Sequence, residues 1–146
     1  MSIEEFILPY DTLTHSCYTN LFCSCTLLST GLEELSATTL AYACYRGMFY
    51  NCTSLTEAPR LPAVTLGNYC YADMFHNCDL LAEAPILPAK TLTAGCYSNM
   101  FYGCDSLVQA PILPSIILAE SCYEGMFYDC TSLIVAPTLS AIQQLH

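Results

Sequence analysis

The chain has 146 residues, 54% of them apolar and 11% charged, which is enough for one domain with a continuous core and excludes a disordered chain. Thirteen acidic residues stand against Arg46, Arg60 and Lys90, giving a formal net charge of -10. That balance repels phosphate backbones and offers no basic patch, so nucleic acid and anionic membrane surfaces are poor partners.

Residues Met1 to Ile7 form a short acidic lead-in. Glu4, Glu5 and Asp11 stand where a signal peptide carries basic residues, and no apolar run reaches spanning length. A soluble chain without membrane insertion is expected. Leu8-Pro9 then opens the first of five copies of one unit, in the slot later filled by Leu61-Pro62, Leu87-Pro88 and Leu113-Pro114. The Cys-Tyr pairs at Cys17, Cys44, Cys70, Cys96 and Cys122 are separated by 27, 26, 26 and 26 residues. A fixed period of this size is the mark of stacked coils, none of which buries its apolar side alone. The expected domain layout is the lead-in, a five-coil solenoid over residues 8–138, and a truncated sixth coil over 139–146.

Within a coil, Ser54 to Ala58 and its copies read as one short parallel strand, with Leu55 inward and Thr56 and Glu57 toward solvent. Pro59, Pro85, Pro111 and Pro137 lack the N–H that a ladder needs and end it. Tyr71-Ala72-Asp73-Met74-Phe75 reads as a turn of helix whose Met and Phe plug the coil. The expected fold class is therefore an α/β-type solenoid.

Ten of the eleven cysteines fall into two registers of the repeat, one headed by Cys17 and the other by Cys25, while Cys23 stands outside both. Each register becomes a ladder along the core, where cysteine acts as a small apolar residue. The spacing of adjacent coils does not forbid bridges between rungs. An odd ladder of five cannot pair completely, so buried thiols are favoured over disulfides.

His15 and His76 each lie two residues before a ladder cysteine, the raw material of a Cys/His nucleophile. They occupy different slots, however, and His76 takes the place of Tyr50, Tyr102 and Tyr128, which makes it a member of an aromatic ladder. No Cys-x-x-Cys set suits a metal. Asn51-Cys52-Thr53 matches a glycosylation sequon around a core cysteine. No catalytic residue, metal site or cofactor is expected.

The run Phe-x-x-Cys-x-Ser-Leu, followed by a short strand and a Leu-Pro closure, resembles the BspA-like, Treponema-type leucine-rich repeats. Here it takes a 26-residue Cys-Tyr-x-x-Met-Phe-x-x-Cys-x-Ser-Leu form and spans about Leu8 to Ala141. The resemblance implies a leucine-rich-repeat-like, right-handed stack used for adhesion or protein binding at microbial surfaces, and an extracellular or cell-surface location.

Fixed slots are committed to packing, so recognition falls to the variable ones. Glu57, Glu83 and Gln109 form one row, a candidate recognition face, and Asp79 and Asp105 a second acidic row beside it. Toward the C-terminus, Val108, Ile112, Ile116, Ile117, Ile134 and Val135 occupy slots held earlier by Thr56, Arg60, Val64, Thr65, Thr56 and Glu57. An apolar patch there is a candidate interface. Two functions are expected: a scaffold that binds another protein, or a self-assembling structural protein using its uncapped ends and this patch. Partners are thus protein or further copies of the chain.

Overall fold

Small or polar residues recur at every fourth position after each Cys-Tyr step, as in Gly47 and Asn51, Asn99 and Gly103, or Gly125 and Asp129. These are the residue types that tolerate left-handed backbone. In the structure, a computed structural model that describes Leu8 and residues 12–140, all of them have φ between +50° and +68°. The same is true of Ser16, Asn20 and Ser24 in the first coil and of Ala43 and Tyr69, which carry the steric cost of that conformation. The lead-in Met1 to Ile7, and the sixth coil beyond Ser140, lie outside the described residues.

A left-handed residue every fourth position precludes helix, and none occurs among the described residues. Tyr71 to Phe75, where the sequence pointed to a helical turn, belongs to a ribbon of linked β-turns. In the second coil Arg46, Met48 and Tyr50 donate their N–H groups to the carbonyls of Ala43, Tyr45 and Gly47, three residues back, at 3.2, 3.2 and 2.9 Å. The alternate N–H groups leave the coil: Tyr45, Gly47 and Phe49 donate to Cys70, Ala72 and Met74 of the next coil at 3.0, 2.8 and 3.0 Å. Every N–H from Ala43 to Cys52 is used by one of these two routes. The backbone is thus satisfied without helix or sheet.

The other half of each coil is extended. The expected short strands appear as isolated parallel bridges, in three rows. One joins Thr30 to Glu57, Glu83 to Gln109 and Gln109 to Val135; another joins Thr39 to Thr65 and Thr91 to Ile117; the third, between them, takes two adjacent slots, Glu34 to Arg60 and Leu113 to Leu139. Pairing does not extend because prolines at 59, 62, 85, 88, 111 and 114 interrupt the supply of donors.

Side chains repeat in register, so like stacks on like through the core. Tyr18, Tyr45, Tyr71, Tyr97 and Tyr123 follow one another at ring-centroid distances of 5.8 to 6.1 Å. Phe22, Phe49, Phe75, Phe101 and Phe127 do so at 5.5 to 5.8 Å. Each such pair adds roughly 0.5–1.5 kcal/mol beyond its area burial. Met48, Met74, Leu55, Leu81 and the cysteines of both series fill the remaining volume, except Cys17, which the sequence placed in the core ladder and which is exposed at the first coil.

All eleven cysteines are unbridged. The second series also has a polar role, because Cys52, Cys78, Cys104 and Cys130 donate their thiols to the carbonyls of Phe22, Phe49, Phe75 and Phe101, one coil back, at 3.0 to 3.2 Å. A thiol is the small apolar group that still supplies a donor there.

At Gly67 the coils leave no room for a side chain: a Cβ would meet the backbone of Ala41 and lie 2.8 Å from the Leu40 carbonyl oxygen. Backbone cannot swing aside as a side chain can. Gly67→Ala is expected to destabilise the chain by about 1–3 kcal/mol in urea unfolding; an unchanged midpoint would show that the coils are not held this close.

Candidate functional site

Burial divides the repeat as its variation does: the invariant positions line the core and the variable ones reach solvent. Glu57, Glu83 and Gln109 are exposed and stand one per coil along a single bridge row, which Val135 continues. Val108 and Ile134 flank that row, joined by the Ile134 N–H to the Val108 carbonyl at 3.0 Å, and are 45% and 80% exposed. Three of the six candidate interface residues, Val108, Ile134 and Val135, therefore share one surface with the Glu57 row, acidic at its N-terminal end and apolar at its C-terminal end.

Shallow clefts run along this row between successive coils. One of about 520 Å³ is lined by Gly31, Glu33, Glu57 and Arg60. The next, of about 500 Å³, lies between Thr56, Glu57, Glu83 and Pro85. A third, of about 440 Å³, is bounded by Glu83, Val108, Gln109 and Ile112. Arg60 reaches Glu33 at 3.0 Å and Glu34 at 2.9 Å, which leaves Glu57 and Glu83 as the unneutralised carboxylates of the row. All three partners are solvent-exposed, so these pairs contribute at most about 1 kcal/mol.

Ile112 also lines a second depression, of about 300 Å³, formed with Ile86 between Pro85, Pro88, Pro111 and Pro114. Ile86 is 83% exposed, the most of any large apolar side chain described, and was missed by sequence reasoning. The signal was present, since Arg60, Ile86 and Ile112 fill one slot. Ile116 and Ile117 lie on the bridge row beyond, where both N–H groups donate to the Lys90 carbonyl. The six apolar residues are exposed, but the fold distributes them over three rows and does not gather them in one patch.

The aromatic row consists of Tyr50, His76, Tyr102 and Tyr128, stacked at 4.5, 4.4 and 4.9 Å. His76 Nδ1 lies 3.6 Å from Asp73 Oδ1, and Arg46 Nε 3.4 Å from Asp73 Oδ2. Burial holds the His76 pKa below its ordinary value, and the Asp73 carboxylate opposes this only in part. The Cys78 thiol donates to the Phe49 carbonyl, and burial raises its pKa well above the ordinary 9.0. Both members of the His76/Cys78 pair are thus committed to packing, and a nucleophile needs a thiolate. Asp79 carries a raised pKa through burial and then through Asp105, its neighbour in the second acidic row.

Among the described residues no cluster of three or more His, Cys, Asp or Glu side chains suits a metal ion, and no helix is long and apolar enough to cross a membrane. Comparison with known proteins finds no matching family model, no matching curated protein and no matching solved structure.

Burial pushes the thiols of Cys44 and Cys52 up to about 12 and that of Cys96 to about 11, from an ordinary 9.0. In the unfolded chain these thiols ionise near 9, so the fold is favoured in full below that pH and loses stability as pH rises toward 11 to 12. The unfolding midpoint is expected to fall steeply above pH 9, and a flat alkaline profile would contradict buried thiols. At pH 8 a thiol reagent is expected to label exposed Cys17 and Cys23 quickly, and all eleven cysteines only after denaturation. Fewer than about two free thiols in denaturant would overturn the unbridged assignment.

Proposed function

We propose that this chain is a leucine-rich-repeat-like, right-handed solenoid of the BspA-like kind. In this reading it is a non-enzymatic scaffold that binds protein, or adheres, at a microbial surface through the row of Glu57, Glu83, Gln109 and Val135. The observation that carries the reading is the exposure of variable positions in register, one per coil, with open clefts between them and a core that consumes the invariant residues. Rigid, evenly spaced side chains on one face suit an extended partner, because little entropy is lost in ordering them. Carboxylates at one end and Val108, Ile134 and Val135 at the other call for a partner that is basic, then apolar, along its length.

A displayed-peptide library tests this. Selected peptides are expected to carry Lys or Arg ahead of apolar residues, and Glu57→Lys with Glu83→Lys to weaken their binding roughly tenfold by removing two charge contacts. Failure to enrich any peptide, or binding indifferent to both substitutions, would count against the face.

A second reading, self-assembly into a filament, ring or particle, is supported by the exposed apolar side chains of Ile116, Ile117, Ile134 and Val135 near the last described coil. Light scattering tests it directly: a chain that stays monomeric at high concentration is not an assembling one.

A further inference from the structure

Two exposed rows stand three residues apart on the extended side of the middle coils. One is Glu57, Glu83 and Gln109; the other is Arg60, Ile86 and Ile112. Between them the chain lies lower, where Ala58, Ala84 and Ala110 with Pro59, Pro85 and Pro111 are buried or half-buried. The clefts of about 500 and 440 Å³ sit over this floor, and the second reaches from Glu83 and Gln109 across to Ile112. Beyond the second row the surface drops again into apolar depressions of about 280 and 300 Å³, both of which Ile86 lines. The rows are thus the banks of a groove that runs along the stack. Banks and floor all belong to the second, third and fourth coils.

The dimensions of the groove select its occupant. Three residues of extended chain set the banks about 10 Å apart, and coils joined by parallel bridges follow one another at about 4.8 Å. An α-helix is about 10 Å across and advances about 5.4 Å per turn, so a helix laid lengthwise brings one side chain per turn to each bank at nearly every coil. A strand repeats each face at about 6.7 Å and loses the register within one coil. It would also need backbone partners, and Pro59, Pro85 and Pro111 have no N–H to offer from the floor. A helix satisfies its own backbone.

Deepening the protein-binding reading, on which this rests, we propose that the groove takes a cationic amphipathic helix of a partner protein. On one bank no described ion pair reaches Glu57 or Glu83, because Arg60 is held by Glu33 and Glu34. On the other, Ile86 and Ile112 are 83% and 70% exposed. The complementary helix carries Lys or Arg one turn apart on one flank and large apolar residues on the other. Its N-terminal end lies toward Glu57, where the positive end of the helix dipole meets the carboxylates, and its basic flank turns apolar toward Val108. The net charge of -10 draws such a helix in from a distance.

Fluorescence anisotropy of the full chain with a labelled peptide of about 15 residues tests the proposal. The peptide is built of Lys, Leu and Ala, with Lys on one helical flank and Leu on the other; a control of the same length carries proline at its centre. The first is expected to bind and to gain helix by circular dichroism, and the control to bind roughly tenfold more weakly. Glu57→Gln with Glu83→Gln is expected to weaken binding roughly tenfold and to flatten its salt dependence. Ile86→Ser is expected to weaken it roughly fivefold and to leave the salt dependence unchanged. All three positions are exposed, so the unfolding midpoint is expected to stay where it is. Equal binding by the proline control would overturn the helix and leave the acidic-to-apolar face standing. Binding that ignores Ile86→Ser would overturn the two-banked groove and leave the Glu57 row as the contact. No binding by either peptide up to about 1 mM would overturn the groove as a helix site, and peptides still selected from the library through Glu57 would show that the face itself binds a partner of another shape.

Discussion

Alternation of the ribbon's N–H groups is the constraint on which the rest depends. One group turns back three residues and the next crosses to the following coil, so a non-helical backbone buried against aromatic rings leaves no donor unpaired within the stack. The alternation requires a left-handed residue at every fourth position, and this fixes where Gly, Asn, Asp and Ser fall. It also sets the stacking interval that the side chains must match. Tyrosine, phenylalanine, methionine and cysteine meet their own copies because the backbone delivers them at the same height in each coil.

Glycine placement shows how tightly the coils are coupled. Gly47, Gly103 and Gly125 follow Asn20, Asn77 and Asn99 in the same slots of the preceding coils, and each of those asparagine side chains occupies the space a Cβ would need. At these three sites asparagine in one coil sets glycine in the next, whereas Asn51 is followed by Asn77. A substitution at one such site changes the requirement on its neighbour, as nearest-neighbour coupling along a stack predicts.

Surface chemistry inherits the same regularity. Variable residues cannot be gathered into a cavity by a fold in which each coil places its slots at fixed angles; they can only form rows. The molecule accordingly presents long, shallow surfaces graded from acidic to apolar. These are the features that support a role in binding, whether the partner is another protein or another copy.

Much of this was legible from the residues alone. The period, the aromatic ladders, the cysteine ladders apart from exposed Cys17, the place of His76 among tyrosines and the outward row of Glu57, Glu83 and Gln109 all follow from which residue types recur and which vary, because a stack makes equal positions in sequence equal in space. What the residues could not decide was local backbone geometry. Met74-Phe75 beside polar positions satisfies a helical turn and a β-turn ribbon equally, and the choice came from where the alternate N–H groups find acceptors, which lie a whole coil away. The same applies to Ser54–Ala58 and its copies, which pattern as strands yet pair at single bridges, and to Ile112, Ile116 and Ile117, whose neighbours in sequence are not their neighbours in space. Sequence set the repeat; only contacts between coils decided the conformation of each unit and which of its exposed side chains stand together.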